Sequence, residues 1–167
     1  KYDNRYEVVS ILFIDVDNFK PINDQYGHSA GDTTLCTIAN TLKNQIRQED
    51  LLARVGGDEF AIMLSGGKDA IEHLVNRVGR CVSVALPGID RARVVHLSVG
   101  CAVFNGRTVN VYNRGFEEPH LVSCGWTHEI SLEGKPTLQD IDHALSLMTK
   151  ISSDTMSLAK DRRGVRR

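Results

Sequence analysis

A mixed α/β fold is what this chain predicts. Strand-like apolar runs at residues 8–14, 51–55, 60–64 and 93–104 are separated by two stretches, 31–48 and 71–85, whose apolar residues recur at helical spacing. At 167 residues and 41% hydrophobic content the chain can bury one sizeable core, and its length fits a single domain over residues 1–167. Net charge is -1, from 20 Lys+Arg against 21 Asp+Glu, which excludes the global basic field of proteins that grip nucleic-acid polymers. Any phosphate binding must come from local charge.

Taken in order, the first run, Val8-Val9-Ser10-Ile11-Leu12-Phe13-Ile14, is continuous, largely β-branched and aromatic, as a buried central strand should be. It stops abruptly at Asp15-Val16-Asp17-Asn18. Asp17 or Asn18 is placed to cap a short helix opening at Phe19-Lys20-Pro21-Ile22, where proline is tolerated in the first turn. Leu35, Ile38, Ala39, Leu42 and Ile46 make 31–48 an amphipathic helix. Leu51-Leu52-Ala53-Arg54-Val55 and Phe60-Ala61-Ile62-Met63-Leu64 flank Gly56-Gly57-Asp58-Glu59, the pattern of a β-hairpin whose glycines supply the positive φ of a two-residue turn. Ile71, Leu74, Val75, Val78, Val82 and Ala85 predict a second long helix ending before Pro87-Gly88. Alternation through Val95, Leu97, Val99 and Cys101 predicts a strand over 93–104.

Beyond it, residues 105–136 are punctuated by glycine and proline, and Val109-Asn110-Val111-Tyr112 and His120-Leu121-Val122-Ser123 can pair there as an extra hairpin. Cys36, Cys81, Cys101 and Cys124 lie far apart without metal-binding spacing, and are expected to be reduced core thiols of a cytosolic domain. No apolar stretch is long enough to span a bilayer and no signal peptide precedes the first strand, so the expectation is a soluble, cytoplasmic chain without membrane contact.

Two carboxylates after a pair of glycines are, taken alone, equally well explained as solvated charges beside a turn. A second strand that also ends in carboxylates shifts the balance. Two such tips can jointly bind a hard divalent cation, and magnesium usually takes one or two carboxylates plus phosphates. A regular pleat would send Asp58 and Glu59 to opposite faces, so both serve one site only where the turn distorts the pleat. Asp58 is therefore the principal acid and Glu59 the secondary one.

Phe13-Ile14-Asp15-Val16-Asp17-Asn18-Phe19-Lys20, then Asn23-Asp24 with Tyr26-Gly27-His28, Gly31-Asp32, Gly56-Gly57-Asp58-Glu59-Phe60 and Leu97-Ser98-Val99-Gly100 occur here in order. This set resembles the GGDEF domain of diguanylate cyclases over residues 6–104, with a looser likeness in the C-terminal helix. The resemblance implies a central, mainly antiparallel sheet flanked by helices, similar to the palm of nucleotide polymerases and to nucleotidyl cyclases. It implies magnesium-dependent condensation of two GTP into cyclic di-GMP and pyrophosphate by a transient homodimer, with inhibition by the product.

By the same resemblance, Asp15, the carbonyl of Val16 and Asp58 hold magnesium, or manganese in its place. Asp58 and Glu59 are the catalytic acids, Glu59 at a second metal or near the attacking hydroxyl. Lys20 and the backbone of Asn18 and Phe19 receive the β- and γ-phosphates at a helix opening, where amide donors and the helix dipole favour an anion. Asn23 and Asp32 match guanine-contacting positions, with the donor and acceptor groups that base requires. Gly56 and Gly57 give clearance for GTP, and Lys160 fits a phosphate-binding lysine. His28 either points at ribose or phosphate or is a structural part of its Tyr-Gly-His turn. Arg47 and Asp50, joined by Arg54, match a cyclic di-GMP inhibitory site, although Arg-x-x-Asp is also an ordinary salt pair at a helix end.

The chain departs from the family pattern after residue 104. The 105–136 segment is long, Ser157 stands where the family has tyrosine, and Gly164 falls where it has arginine. These departures leave an alternative, a weak or inactive module that binds GTP or cyclic di-GMP as a receptor. The family's opening Asp-x-Leu-Thr is also absent, and the chain is expected to be the C-terminal output domain of a longer, soluble or membrane-bound protein.

Overall fold

The computed structural model describes residues 8–79, 81–104, 108–113 and 122–129. In chain order these form β1 (Val9–Val16), α1 (Phe19–Tyr26), α2 (His28–Gln45), β2 (Leu51–Arg54), β3 (Glu59–Ser65), α3 (Lys68–Val78), β4 (Cys81–Val84), β5 (Arg93–Phe104), β6 (Thr108–Asn113) and β7 (Val122–Glu129). The sheet runs β2-β3-β1-β5-β6-β7, with β4 added along β5, and each of these pairings is antiparallel.

The continuous apolar sequence of β1 follows from its place. It is hydrogen-bonded on both edges, to β3 and to β5, and is buried on both faces. On one face Leu12 lies between Ile62 and Cys101, and Ile14 between Phe60 and Val99. These side chains share a core with Ile38 and Leu42 of α2 and with Ile71, Leu74 and Val75 of α3. Ile11, Phe13 and Ala102 are buried as well, which is why polar residues do not alternate through β1.

The second long helix is shorter than its periodicity predicts. It ends at Val78, and Gly79, at φ 74 and ψ -170, turns the chain and donates its N–H to Val75 O. Cys81-Val82-Ser83-Val84 then forms β4 on Arg93–His96 of β5, with Val82 and Val84 buried and Cys81 and Ser83 exposed. Val82 thus belongs to a period of two as well as to the helical series, and the glycine decides between them. Gly79→Ala is expected to cost about 1–3 kcal/mol of stability, because that backbone region is nearly closed to residues with a Cβ. Denaturant unfolding with an unchanged m-value would measure it.

Other boundaries move less. The amphipathic helix α2 occupies 28–45 in place of 31–48. An extra hairpin forms as β6 and β7, but its second strand runs 122–129 where the sequence predicts 120–123, and 120 and 121 lie outside the described residues; β6 continues the sheet from β5, where Cys101 Sγ donates to Tyr112 O at 3.6 Å. Cys101 is a core thiol as expected, but Cys36 and Cys81 are exposed, because each falls on the outward side of its element. Lys160 and the helix expected at the C-terminus lie outside the described residues. Among the described residues, no helix is long and apolar enough to cross a membrane.

Candidate active site

The end of β1 is where the acids meet. Register places Asp15 opposite Glu59 of β3 on one side and opposite Ser98 of β5 on the other, so the three positions share one face of the sheet. Asp15 is only 3% exposed, and its Oδ1 is buried and accepts no hydrogen bond. One residue on, the Val16 N–H donates to the Asp58 carbonyl at 3.0 Å. That bond draws the Gly-Gly-Asp turn onto the tip of β1.

The turn differs from the one the glycines suggest. Five residues, 55–59, separate the last paired residues Arg54 and Phe60, and neither Gly56 nor Gly57 adopts positive φ. The N–H groups of Val55 and Gly56 both point to Glu59 O, at 2.9 and 3.4 Å, and close the wider loop. Arg54 braces it: Nε donates to Gly56 O at 3.2 Å and Nη2 to Gly57 O at 2.7 Å. Arg54 therefore serves the turn, and it is not among the residues lining the cavity at Arg47.

Half-buried Asp58 lies in the bend just before β3 begins at Glu59, so strict pleating does not force the two acids apart. A Cβ on Gly57 would meet nothing within 4 Å, whereas one on Gly56 would strike Glu59 Oε2. Gly57 faces open space beside the acids, the clearance a ligand needs.

Among the described residues, no three His, Cys, Asp or Glu side chains form a metal cage. The acids at these strand tips, Asp15, Asp58 and Glu59, offer oxygen donors together with nearby carbonyls. So few hard ligands suit a divalent cation that takes its remaining ligands from phosphate and water.

After β1 the chain makes a tight change of direction. Asn18 occupies the N-cap position of α1 at φ 56 and ψ 36, the one positive-φ residue other than glycine among the described residues, and makes no side-chain capping bond. Asp17 is not the cap either: it is buried, its Oδ1 accepts from Ser98 Oγ at 2.6 Å, and its N–H donates to His96 O at 2.9 Å. Helix α1 thus opens without a side-chain cap on its first amides, next to exposed Lys20.

The guanine-matching residues lie on neighbouring helices. Half-buried Asn23 of α1 lies against buried Gly31 of α2, and a Cβ on Gly31 would collide with the Asn23 amide; Asp32 follows, exposed. His28 is the exposed first residue of α2. Gly31→Ala is expected to swing the Asn23 amide aside and to press on the Phe19 ring, whose Cζ would lie 3.2 Å from the new Cβ, with a drop in melting temperature that a thermal unfolding curve would show.

Arg47 and Asp50 close a turn on themselves. Asp50, buried, accepts the Arg47 backbone amide on Oδ2 at 2.9 Å, and its own N–H donates to Arg47 O at 3.2 Å. They border a cavity of about 260 Å³ that is also lined by Ser65, His73 and Arg77. Arg77 Nη2 donates to Gln45 O at 2.7 Å and ties α3 to the end of α2. No local pattern marks His73 and Arg77 as neighbours of Arg47. Their spacing places them on one helical face, but only the packing of α3 turns that face toward Arg47.

A family model described as "Diguanylate cyclase, GGDEF domain" matches residues 1–114. Diguanylate cyclase TpbB of Pseudomonas aeruginosa is 41% identical over 108 residues, 63% of this chain and 22% of that protein. The structure of its isolated GGDEF domain superposes with a TM-score of 0.53 at 39% identity, covering 60% of each chain. Diguanylate cyclase SiaD of the same organism, solved with its activator SiaC, covers 93% of this chain and 47% of its own with a TM-score of 0.63; at 23% identity it speaks for the fold alone. The chain spans about a fifth of the length of the curated relatives it matches. With the acid-bearing strand tips, the glycine turn and the open helix start in their places, the chain belongs to the GGDEF domain family of diguanylate cyclases.

Proposed function

We propose that this domain condenses two GTP molecules into cyclic di-GMP and two pyrophosphates, with magnesium, as a two-fold symmetric pair of chains. The observation that carries the reading is the meeting of two acidic strand tips, Asp15 opposite Glu59 and Val16 bonded to Asp58, beside the uncapped start of α1. That arrangement suits a triphosphate whose α-phosphorus is to be attacked.

Asp15, Asp58 and the Val16 carbonyl would hold magnesium, or manganese in its place, which when bound neutralises triphosphate charge. The amides of Asn18 and Phe19, with Lys20, bind the β- and γ-phosphates, and Lys160 adds a further phosphate contact. Asn23 and Asp32 read the guanine edge, while His28 stands at the rim; Gly57 leaves room for the nucleotide, and Gly56 makes way for the Glu59 carboxylate. Glu59 is the second acid, near the attacking hydroxyl. In each of two steps a ribose 3′ oxygen bonds to the α-phosphorus of the partner's nucleotide, the bond to pyrophosphate breaks and the hydroxyl proton is released. One chain holds one GTP and cannot close the ring alone.

Arg47 and Asp50 with the cavity beyond them form the product's inhibitory site, to which we add Arg77 and His73. Arginine suits both phosphate and guanine edges, and the buried Asp50 holds the Arg47 backbone in place. Use of GTP assigns the domain to the cytoplasm, where that nucleotide is made and consumed.

The chain, dimerised by a fused partner, should form cyclic di-GMP from GTP and magnesium, as read by chromatography. The rate per chain of the unfused domain should rise with its concentration. No product from the dimerised wild-type domain at any concentration would sink the reading.

A further inference from the structure

We propose that Asp17 and Ser98 form a buried positioning lock that fixes the loop between β1 and α1 in its triphosphate-receiving shape. The inference rests on the reading of this loop as a GTP-phosphate site and goes beyond it by naming what holds the loop in place.

Three observations carry it. First, the loop is conformationally costly. Asn18 is held at φ 56 and ψ 36, a region that asparagine visits more readily than most residues but that still must be imposed by its surroundings. Second, no side-chain cap of α1 imposes it, because Asn18 makes no capping bond. Third, the residue immediately before Asn18 is clamped at two points to β5. Its N–H donates to His96 O at 2.9 Å, and its carboxylate accepts Ser98 Oγ at 2.6 Å, a short charge-assisted bond across 81 residues of sequence. Asp17 is 4% exposed and Ser98 is 0% exposed, so water does not compete for that bond.

Ser98 has a second qualification. In the sheet register it pairs with Asp15, and its hydroxyl reaches forward to Asp17. One residue of β5 thus borders the acid at the strand tip and anchors the loop that follows it. Asp15 itself is held by the backbone ladder of β1 on both sides. Loosening the lock should therefore disturb the amides of Asn18 and Phe19, which meet phosphate, more than the acid that meets metal.

The loss should scale with phosphate. Displacement of a fluorescent GTP analogue from the dimerised domain would compare GTP with GMP, which lacks the β- and γ-phosphates. Ser98→Ala is expected to weaken GTP about tenfold while changing GMP less than twofold. Asp17→Asn, which keeps an oxygen acceptor for Ser98 but gives up the charge, should weaken GTP less than Ser98→Ala does. Equal weakening of GTP and GMP by Ser98→Ala, or unchanged GTP affinity, would overturn the lock. A larger GTP loss in Asp17→Asn than in Ser98→Ala would overturn it too, by showing that Asp17 acts through something other than the serine. Melting curves of both variants tie the comparison to folded protein. If the wild-type domain binds GTP but forms no cyclic di-GMP, the cyclase reading falls while this comparison still decides the lock.

Discussion

Asp58→Ala is expected to reduce cyclic di-GMP formation by more than about 10²-fold while leaving the melting temperature of the domain nearly unchanged. Removing even outer partners of a metal site typically costs 10- to 100-fold, and a direct ligand, the role proposed for Asp58, should cost more. The fold should survive because the structural contact of this residue is made by its backbone: the Asp58 carbonyl accepts the Val16 N–H, and alanine keeps that carbonyl. The side chain is half-buried in a bend outside the β3 ladder, so its truncation opens no core cavity. Chromatography of the dimerised variant with GTP and magnesium, beside circular dichroism, makes the comparison. Activity within tenfold of wild type would remove Asp58 from the metal and from the chemistry.

Arg47→Ala should weaken cyclic di-GMP binding by about 10- to 100-fold, the effect of losing a hydrogen bond to a charged donor worth about 1.5–3 kcal/mol. Arg47 is the clean position to test, since its guanidinium is exposed and the turn is held by its backbone amide and carbonyl, which alanine retains. Asp50→Ala would be ambiguous, because the Arg47 amide would lose its acceptor and the buried turn would loosen with it. Arg77→Ala should weaken the product too, with a stability loss of about 1 kcal/mol from its bond to Gln45 O. Calorimetric titration of wild type and Arg47→Ala decides it. Equal affinities would remove the inhibitory site from this cavity.

Much of the architecture was legible from local pattern. The unbroken apolar run of β1 announces burial on both faces, and the register with β3 and β5 delivers it. The 93–104 strand has the predicted bounds because its alternation is long and bordered by turn residues. The end of α3 was misjudged because Val82 satisfies two periods at once, and the conformation of Gly79 settles which applies. The glycine pair was misjudged in a related way. Two glycines permit positive φ, but Arg54 and the bonds to Glu59 O hold a five-residue loop that does not use it.

The acids divide along the same line. The strand-tip positions of Asp15 and Asp58 can be read from sequence, since an apolar run stops at Asp15 and another begins just after Asp58. Asp17 could not be assigned correctly, because next to a helix start its residue type suggests a cap, and its actual partner lies 81 residues away. His73 and Arg77 were invisible for the same reason, since only the packing of α3 sets them beside Arg47. The strand and helix periods, the acidic tips and the ordered family motif are all written in neighbouring residues. Which tip meets which, what Asp17 holds and what shares the cavity at Arg47 come from the packing of the folded chain. Those are contacts between distant segments, and no local period encodes them.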